Sequence, residues 1–329
     1  SLRLGIQVHG LIISSGFQYD IILGSILIKL YSELGKMKHA YSIFKYLPER
    51  DSVVWSNMVM ACAKLELSSH AFSFFKDMVS LSIKTDEFVA SAVLKACSDA
   101  ASLQSGKQVH AFCVKNGFES DDVTASSLID MYAKCGEIED ALALYKSTPE
   151  KDAICRTAII LGCGQNGLAE ESLKLFDDMV KCGFAPNEVT FLGVLTACRH
   201  SGLVDEAKRL FASMERDYGI KPSSDHYFSV INLLCQGGYF GEAEKMIAEM
   251  PFRPDKTTWS AVLMASERRR NAEGVSMAAA NLLASFPDDF SVYVMVSNAY
   301  AACGMWDCLH TLREKARRLG SKAAGMSWT

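Results

Sequence analysis

The sequence predicts an all-α fold, a right-handed α-solenoid of helix-turn-helix repeats, on three observations. The chain matches itself at an offset of 101 residues, a polar residue closes a unit every 31 to 36 residues, and apolar residues inside each unit recur at helical spacing. At that offset Gln7-Val8-His9 falls on Gln108-Val109-His110, Tyr31 on Tyr132, Gly35 on Gly136, and Phe75 and Met78 on Phe176 and Met179. One helical hairpin cannot bury its own apolar face, so such units are expected to stack and share one continuous core.

Residues 1–20 are the end of a partial unit closed by Asp20. Seven units follow, at 21–51, 52–86, 87–121, 122–152, 153–187, 188–223 and 224–255, closed by Asp51, Asp86, Asp121, Asp152, Asn187, Ser223 and Asp255. Their lengths run short, standard, long, and then begin again. In 153–187, Ile154, Ala158 and Leu161 mark a first helix and Leu173, Phe176 and Met179 a second, with Gly167 between them. Gly35, Gly136, Gly202 and Gly238 fill the same turn elsewhere, and a small residue early in the second helix (Ala40, Ala71, Ala141, Ser172, Ala207, Ala243) allows close helix approach. The closing Asp, Asn or Ser is suited to cap the helix that follows. From Lys256 to Thr329 the pattern changes to two further helical hairpins.

The 329 residues are 49% hydrophobic and 22% charged, enough for a large core and far from a disordered composition. Seven prolines and no Pro/Gly/Ser-rich tract leave no linker to mark a domain boundary. A net charge of −4 argues against non-specific coating of nucleic acid, although a groove reading bases with neutral side chains remains open. Eleven cysteines, an odd count without framework spacing, point to reduced thiols. No apolar run reaches 18 residues, so no membrane span is expected. The chain opens in the middle of a repeat, and any targeting peptide is expected upstream of Ser1.

Several phrases resemble the plant pentatricopeptide-repeat family, in particular the subclass that alternates long, standard and short repeats. They are Ser127-Leu128-Ile129-Asp130-Met131-Tyr132-Ala133-Lys134-Cys135-Gly136, Val93-Leu94-Lys95-Ala96-Cys97, Gly106-Lys107-Gln108-Val109-His110 and Gly193-Val194-Leu195-Thr196-Ala197-Cys198. The tail at 256–329 resembles the E-type extension motifs of that family through Trp259, Leu263, Pro287, Tyr293, Ser297-Asn298-Ala299-Tyr300 and Gly325-Met326-Ser327-Trp328. It departs where the family shows Gly-Ala-Cys and this chain has Met264-Ala265-Ser266, with Arg268-Arg269-Arg270 close by.

The resemblance implies single-stranded RNA read one base per repeat, by the fifth residue of the first helix and the residue closing the repeat. An unstacked base offers its Watson–Crick edge to two such polar groups. The pairs implied here are Ser25/Asp51, Ser56/Asp86, Ser91/Asp121, Ser126/Asp152 and Thr157/Asn187. Leu192/Ser223 and Phe228/Asp255 lack a polar fifth residue and are not expected to read bases in this way. Ile22, Val53, Phe88, Val123, Ile154 and Val189, second in their repeats, are the implied base-stacking residues; periodicity alone allows ordinary core equally well. Lys64 and Lys134, thirteenth in theirs, resemble phosphate contacts. The closing residues also have a purely structural reading, as helix caps.

The other chemistry-bearing residues have structural explanations. Cys62, Cys97, Cys163 and Cys198 all stand eleventh in their repeats, on the side expected to be buried. His9 and His110 are repeat equivalents, which speaks for a structural role. A zinc deaminase needs His-x-Glu and Cys-x-x-Cys, and neither spacing occurs. No catalytic residues and no cofactor or metal are therefore expected. The resemblance implies a specificity factor for cytidine-to-uridine editing in a mitochondrion, or alternatively a chloroplast. Its deaminase would come from a partner, a deaminase-bearing repeat protein or an editing accessory factor, docked on 256–329. The other readings are an RNA binder in transcript stability, splicing or translation, and a helical scaffold for peptides.

Overall fold

The computed structural model describes residues 2–319, and the Gly325-Met326-Ser327-Trp328 phrase lies outside them. The described residues form nineteen α-helices and one 3₁₀ turn, Phe118–Ser120. The helices group into two compact units, Ser1–Asn166 and Gly167–Thr329. The boundary between them falls inside the turn of a single repeat. Stacked repeats bury surface only against their neighbours, so no central core ties distant repeats together and composition marks no boundary.

The first unit holds α1 (Leu2–Ser14), α2 (Ile21–Glu33), α3 (Met37–Tyr46), α4 (Ser52–Lys64), α5 (Ser68–Ser80), α6 (Glu87–Asp99), α7 (Leu103–Asn116), α8 (Asp122–Lys134), α9 (Ile138–Ser147) and α10 (Ala153–Gln165). The even-numbered helices are the first helices of the repeats. They pack on one another in succession, α2 on α4, α4 on α6, α6 on α8 and α8 on α10. From α3 to α9, each odd-numbered helix packs on the first helices before and after it.

Three local devices set this arrangement. An Asp precedes α2, α4, α6, α8 and α10, and its carboxylate accepts the N–H three residues on, as at Asp51 to Val54 (2.9 Å) and Asp152 to Cys155 (2.7 Å). The fifteenth residue of each repeat turns the chain at positive φ. It is Gly35 and Gly136 in two repeats, and Glu66 (58°) and Ala101 (48°) in two others. Ala40, Ala71 and Ala141, fourth in α3, α5 and α9, are completely buried, so neighbouring backbones approach closely. Gly106 takes the same place in α7, where a Cβ would run into the Met131 sulfur. Aromatic side chains fill what remains. Phe44 lies edge-on to Trp55 at 4.8 Å and to Phe74 at 5.2 Å between ring centroids.

The second unit repeats the scheme in α11 (Ala169–Lys181), α12 (Glu188–Ser201), α13 (Val204–Tyr218), α14 (Ser224–Gly237), α15 (Phe240–Ala248), α16 (Lys256–Arg268), α17 (Ala272–Ser285), α18 (Phe290–Ala302) and α19 (Trp306–Leu319). Here α12, α14, α16 and α18 pack in succession. The small fourth residue persists as Ala207 and Ala243 but becomes Val275 in α17 and Leu309 in α19, all four buried. Close approach passes instead to Gly274 in α17, where a Cβ would run into the Ser266 hydroxyl of α16, so the change of pattern at Lys256 keeps the same hairpin architecture.

Candidate nucleic-acid interface

The second residues of the repeats decide between core and surface. In the first unit Ile22, Val53, Phe88, Val123 and Ile154 are 70, 54, 61, 42 and 62% exposed; in the second, Val189 is 45% exposed. The alternative of ordinary core is thereby overturned. These are apolar side chains at one helical register, left uncovered on successive first helices. Uncovered apolar side chains cost solvation free energy, and scattered singly they need no explanation, but their recurrence at one register defines a surface.

The fifth residues stand one turn along the same helices. Ser25, Ser91, Ser126 and Thr157 are only 6 to 9% exposed, and Ser56 is half-buried. The Ser25 hydroxyl donates to the Ile22 carbonyl (2.8 Å) and the Ser126 hydroxyl to the Val123 carbonyl (3.0 Å). A hydroxyl donating in this way keeps its acceptor lone pairs. The Ser91 hydroxyl lies 3.4 Å from that of Thr124.

The closing residues all cap. Asp51, Asp86 and Asp152 each use Oδ1 for the cap, leaving Oδ2 for another donor, and the first two are exposed. Asp121 spends Oδ2 on both the N–H and the hydroxyl of Thr124. In the second unit Asn187 Oδ1 accepts from the N–H and hydroxyl of Thr190, at 3.0 Å each, in a reciprocal capping box. The capping reading of these residues is thus correct, and it occupies only part of their hydrogen-bonding capacity.

The two lysines differ. Lys64 is exposed at the end of α4. Lys134 is held between acids, its Nζ 2.9 Å from Asp130 Oδ2 and 3.9 Å from Asp99 Oδ1, while the Ser98 hydroxyl also donates to Asp130. An incoming phosphate at Lys134 would meet two carboxylates, so little backbone affinity arises there.

Sequence reasoning missed the side chains that tie each first helix to its predecessor. Asn57 Nδ2 donates to the Ser25 carbonyl (3.4 Å) and Asn166 Nδ2 to that of Ala133 (2.8 Å). In the second unit Arg269 Nε does the same to Gln236 (3.1 Å), and His226 Nε2 to Glu188 (2.8 Å). The run Arg268-Arg269-Arg270 thereby resolves. Arg269 clamps the preceding helix, Arg270 takes the positive-φ turn position (53°), and Arg268 is exposed. For Asn57, Asn166 and Arg269 the signal was present as a recurring spacing of 32 to 33 residues between bonded partners (38 for His226), hidden because the partner is a carbonyl of any residue type.

Cys62, Cys97, Cys163 and Cys198 are buried, and burial pushes the Cys62 thiol up to about 11 and those of Cys97 and Cys198 to about 12. All four are core side chains, and at Cys62, Cys97 and Cys198 burial leaves no thiolate chemistry near neutral pH. No described helix is long and apolar enough to cross a membrane.

Comparison with known proteins assigns the class. The PPR repeat family model matches residues 151–200, and the PPR repeat model matches 25–52, 53–83, 123–152, 189–218 and 227–253. The chain is 46% identical over 328 residues to the pentatricopeptide repeat-containing protein At4g08210 of Arabidopsis thaliana, covering 100% of this chain and 48% of that protein. It is 38% identical over 315 residues to the mitochondrial At1g06140 of the same plant, covering 95% and 56%. The chain belongs to the pentatricopeptide-repeat family of plants, and it spans about half the length of the curated relatives it matches. Its fold is that of the maize pentatricopeptide repeat protein PPR10, with a TM-score of 0.53 at 22% identity over 90% of this chain and 44% of that one. PPR10 has also been solved in complex with an 18-nt psaJ RNA element, and that structure matches with a TM-score of 0.51 at 14% identity over 91% and 61%.

Proposed function

We propose that the chain is a sequence-specific single-stranded RNA-binding module that guides cytidine-to-uridine editing of an organellar transcript. The observation that carries the RNA reading is the row of exposed apolar second residues beside polar fifth and closing residues. A flat base face is satisfied by apolar contact, worth about 1–3 kcal/mol per base, and its edge by a hydroxyl and a carboxylate. A peptide groove would gain nothing from polar pairs repeated at one register. PPR10, which has the same fold, has been solved with bound RNA, which supports the reading.

Within the first unit Ser25/Asp51, Ser56/Asp86, Ser91/Asp121 and Ser126/Asp152 are the reading pairs. In the family a Ser or Thr with a closing Asp favours guanine and a Thr with a closing Asn favours adenine, giving 5′-G-G-N-G-A-3′ when Thr157 and Asn187 are counted. Lys64 supplies the backbone contact, and Lys134 a lesser one. The editing role rests on the resemblance of 256–329 to the extension motifs. Those residues dock the partner that brings the deaminase, either a deaminase-bearing repeat protein or an editing accessory factor. Several relatives are named as mitochondrial and one as chloroplastic, which supports work in an organelle, the mitochondrion first.

Fluorescence anisotropy with labelled single-stranded RNA tests the binding claim. Five bases at about 1.5 kcal/mol each give roughly 7–8 kcal/mol, so micromolar affinity is expected for RNA containing GGUGA. Equal affinity for a scrambled RNA would remove sequence reading. Sequencing organellar transcripts with and without the protein tests the editing role, which predicts the loss of a specific C-to-U change and falls if editing is unaltered.

A further inference from the structure

The exposed apolar row lies on first helices. A separate apolar groove opens between two second helices of the first unit, α3 and α5. It encloses about 320 Å³ and is lined by Met37, Lys38, Tyr41, Leu67, His70 and Phe74 among others. Phe74 is buried, and Tyr41, edge-on to it at 6.4 Å between ring centroids, is 51% exposed. Lys38 on α3 and His70 on α5 are both exposed beside this apolar lining. The volume is at the small end of ligand pockets and suits an inserted apolar side chain.

The charge around the groove is one-sided. Lys36, which precedes α3, and Lys38, Lys45 and Lys76 on the two helices are accompanied there by a single acid, Asp77, in a chain whose net charge is −4. All four lysines are exposed, and none is in an ion pair among the described residues. The internal repeat supplies a comparison. At the offset of 101 residues, Lys36, Lys38, His39, His70 and Lys76 become Glu137, Glu139, Asp140, Glu171 and Asp177. Both sets form the same helices, α3 and α5 in one and α9 and α11 in the other. The helices therefore form with either sign, and the positive sign at α3 and α5 is a property of that surface and not a requirement of the fold. Lys38, Tyr41 and Lys45, the latter two lying three and seven residues on from the first, form one exposed stripe along α3. That stripe sets a cation one turn to either side of an aromatic ring, and tyrosine is a residue enriched at protein interfaces.

We propose that the α3/α5 groove docks an acidic amphipathic helix of a partner protein. One Leu or Phe of that helix seats between Tyr41 and Phe74, and acids a turn to either side pair with Lys38 and Lys45. A helix carrying acids seven residues apart, with an apolar residue three or four after the first, presents the matching stripe. The buried anchor supplies the affinity, and the charges steer the approach and fix the register. This surface is distinct from residues 256–329 and from the base-reading side chains, so the inference does not depend on the RNA-binding reading.

The test selects phage-displayed random peptides on immobilised residues 1–329. Enriched peptides are expected to carry the acid, apolar, acid spacing. The most enriched one is then synthesised with a fluorescein label and titrated by anisotropy. Lys38→Glu and Tyr41→Ser, exposed substitutions checked by circular dichroism, should each weaken it by about tenfold. Lysine in place of the peptide acid facing Lys38 should restore binding to the Lys38→Glu protein and abolish it for wild type. Glu139→Lys, at the equivalent place in the next set of repeats, should leave affinity unchanged. Selection that enriches basic peptides, or none, overturns the proposal. So does a peptide whose affinity is indifferent to both Lys38→Glu and Tyr41→Ser. Labelled oligouridine that binds wild type and is lost from both variants would assign the groove to RNA, and overturns it as well.

Discussion

His110 Nδ1 lies 2.9 Å from the phenolic oxygen of Tyr132, and 101 residues earlier His9 and Tyr31 repeat the pair at 3.0 Å. Each links the second helix before a repeat to the first helix of that repeat, and each makes an edge-on ring contact at 5.6 Å. The pairs are hinge pins of the stack, and they explain why these histidines are repeat equivalents. Tyr132→Phe, which keeps the ring and removes the hydroxyl, should cost about 1 kcal/mol in urea denaturation.

Those histidines also set an acid limit. Burial lowers the pKa of His110 from its ordinary 6.5, partly offset by Glu119 and Asp140, and burial followed by the charge of His39 lowers that of His9. The unfolded chain therefore binds protons that the folded chain does not. Stability from these groups is complete above about pH 6.5 and is lost as the pH falls from there through the lower folded values. Thermal melts at pH 7.5 and pH 5.5 should show a lower midpoint at the acid end, with a smaller drop in a His9→Gln/His110→Gln protein.

Backbone geometry separates two glycine predictions of opposite sign. A Cβ on Gly162 would sit 2.7 Å from the Ala133 Cβ, two groups fixed on facing helices α10 and α8. Gly162→Ala should therefore cost about 1–3 kcal/mol by forcing the helices apart. Ala101 holds φ 48° in the turn where other repeats have glycine. Ala101→Gly should stabilise by roughly 1 kcal/mol, because the left-handed conformation penalises a Cβ. Chemical denaturation of both proteins checks the pair.

Much of this architecture is legible in sequence because single residues fix it. One Asp sets the start of each first helix from α2 to α10, one positive-φ residue sets the turn within each repeat, and a small fourth residue sets the spacing from α3 to α15. The exposure of Ile22, Val53 and Phe88 was not legible, because helical period identifies a stripe without saying which face is covered. Nor was the pairing of Lys134, since Asp99 lies 35 residues away and only the packing of α6 on α8 brings it to 3.9 Å. The division at Asn166 was hidden for a similar reason, as burial along a stack is local.

Thiol reactivity should follow burial. Cys182 and Cys308 are exposed, while burial holds Cys62, Cys113 and Cys155 at about 11 and Cys97, Cys198 and Cys235 at about 12. At pH 8, alkylation followed by mass spectrometry should label Cys182 and Cys308 first. These six buried thiols, and the buried Cys163 with them, should react only after urea is added.

The exposed apolar residues give a separation of binding from stability. Val53→Ser and Phe88→Ser change surface positions, so melting temperature should move little. Loss of base contact should weaken RNA binding by about 1–3 kcal/mol each. Unchanged affinity in both would show that this row does not touch bases.

The most direct measurement concerns Asp86. Its Oδ1 caps α6 by accepting the Val89 N–H at 2.9 Å, and an Asn carbonyl can do the same. Asp86→Asn therefore keeps the cap while replacing a carboxylate oxygen, which only accepts, by an amide nitrogen that donates. Paired RNAs differing only in G or A at the base assigned to Ser56 and Asp86 should be titrated against both proteins. The account predicts unchanged melting and an inversion of preference from G to A, by roughly tenfold or more in the affinity ratio. Equal affinities for G and A in both proteins would contradict it, leaving Asp86 a helix cap and nothing else.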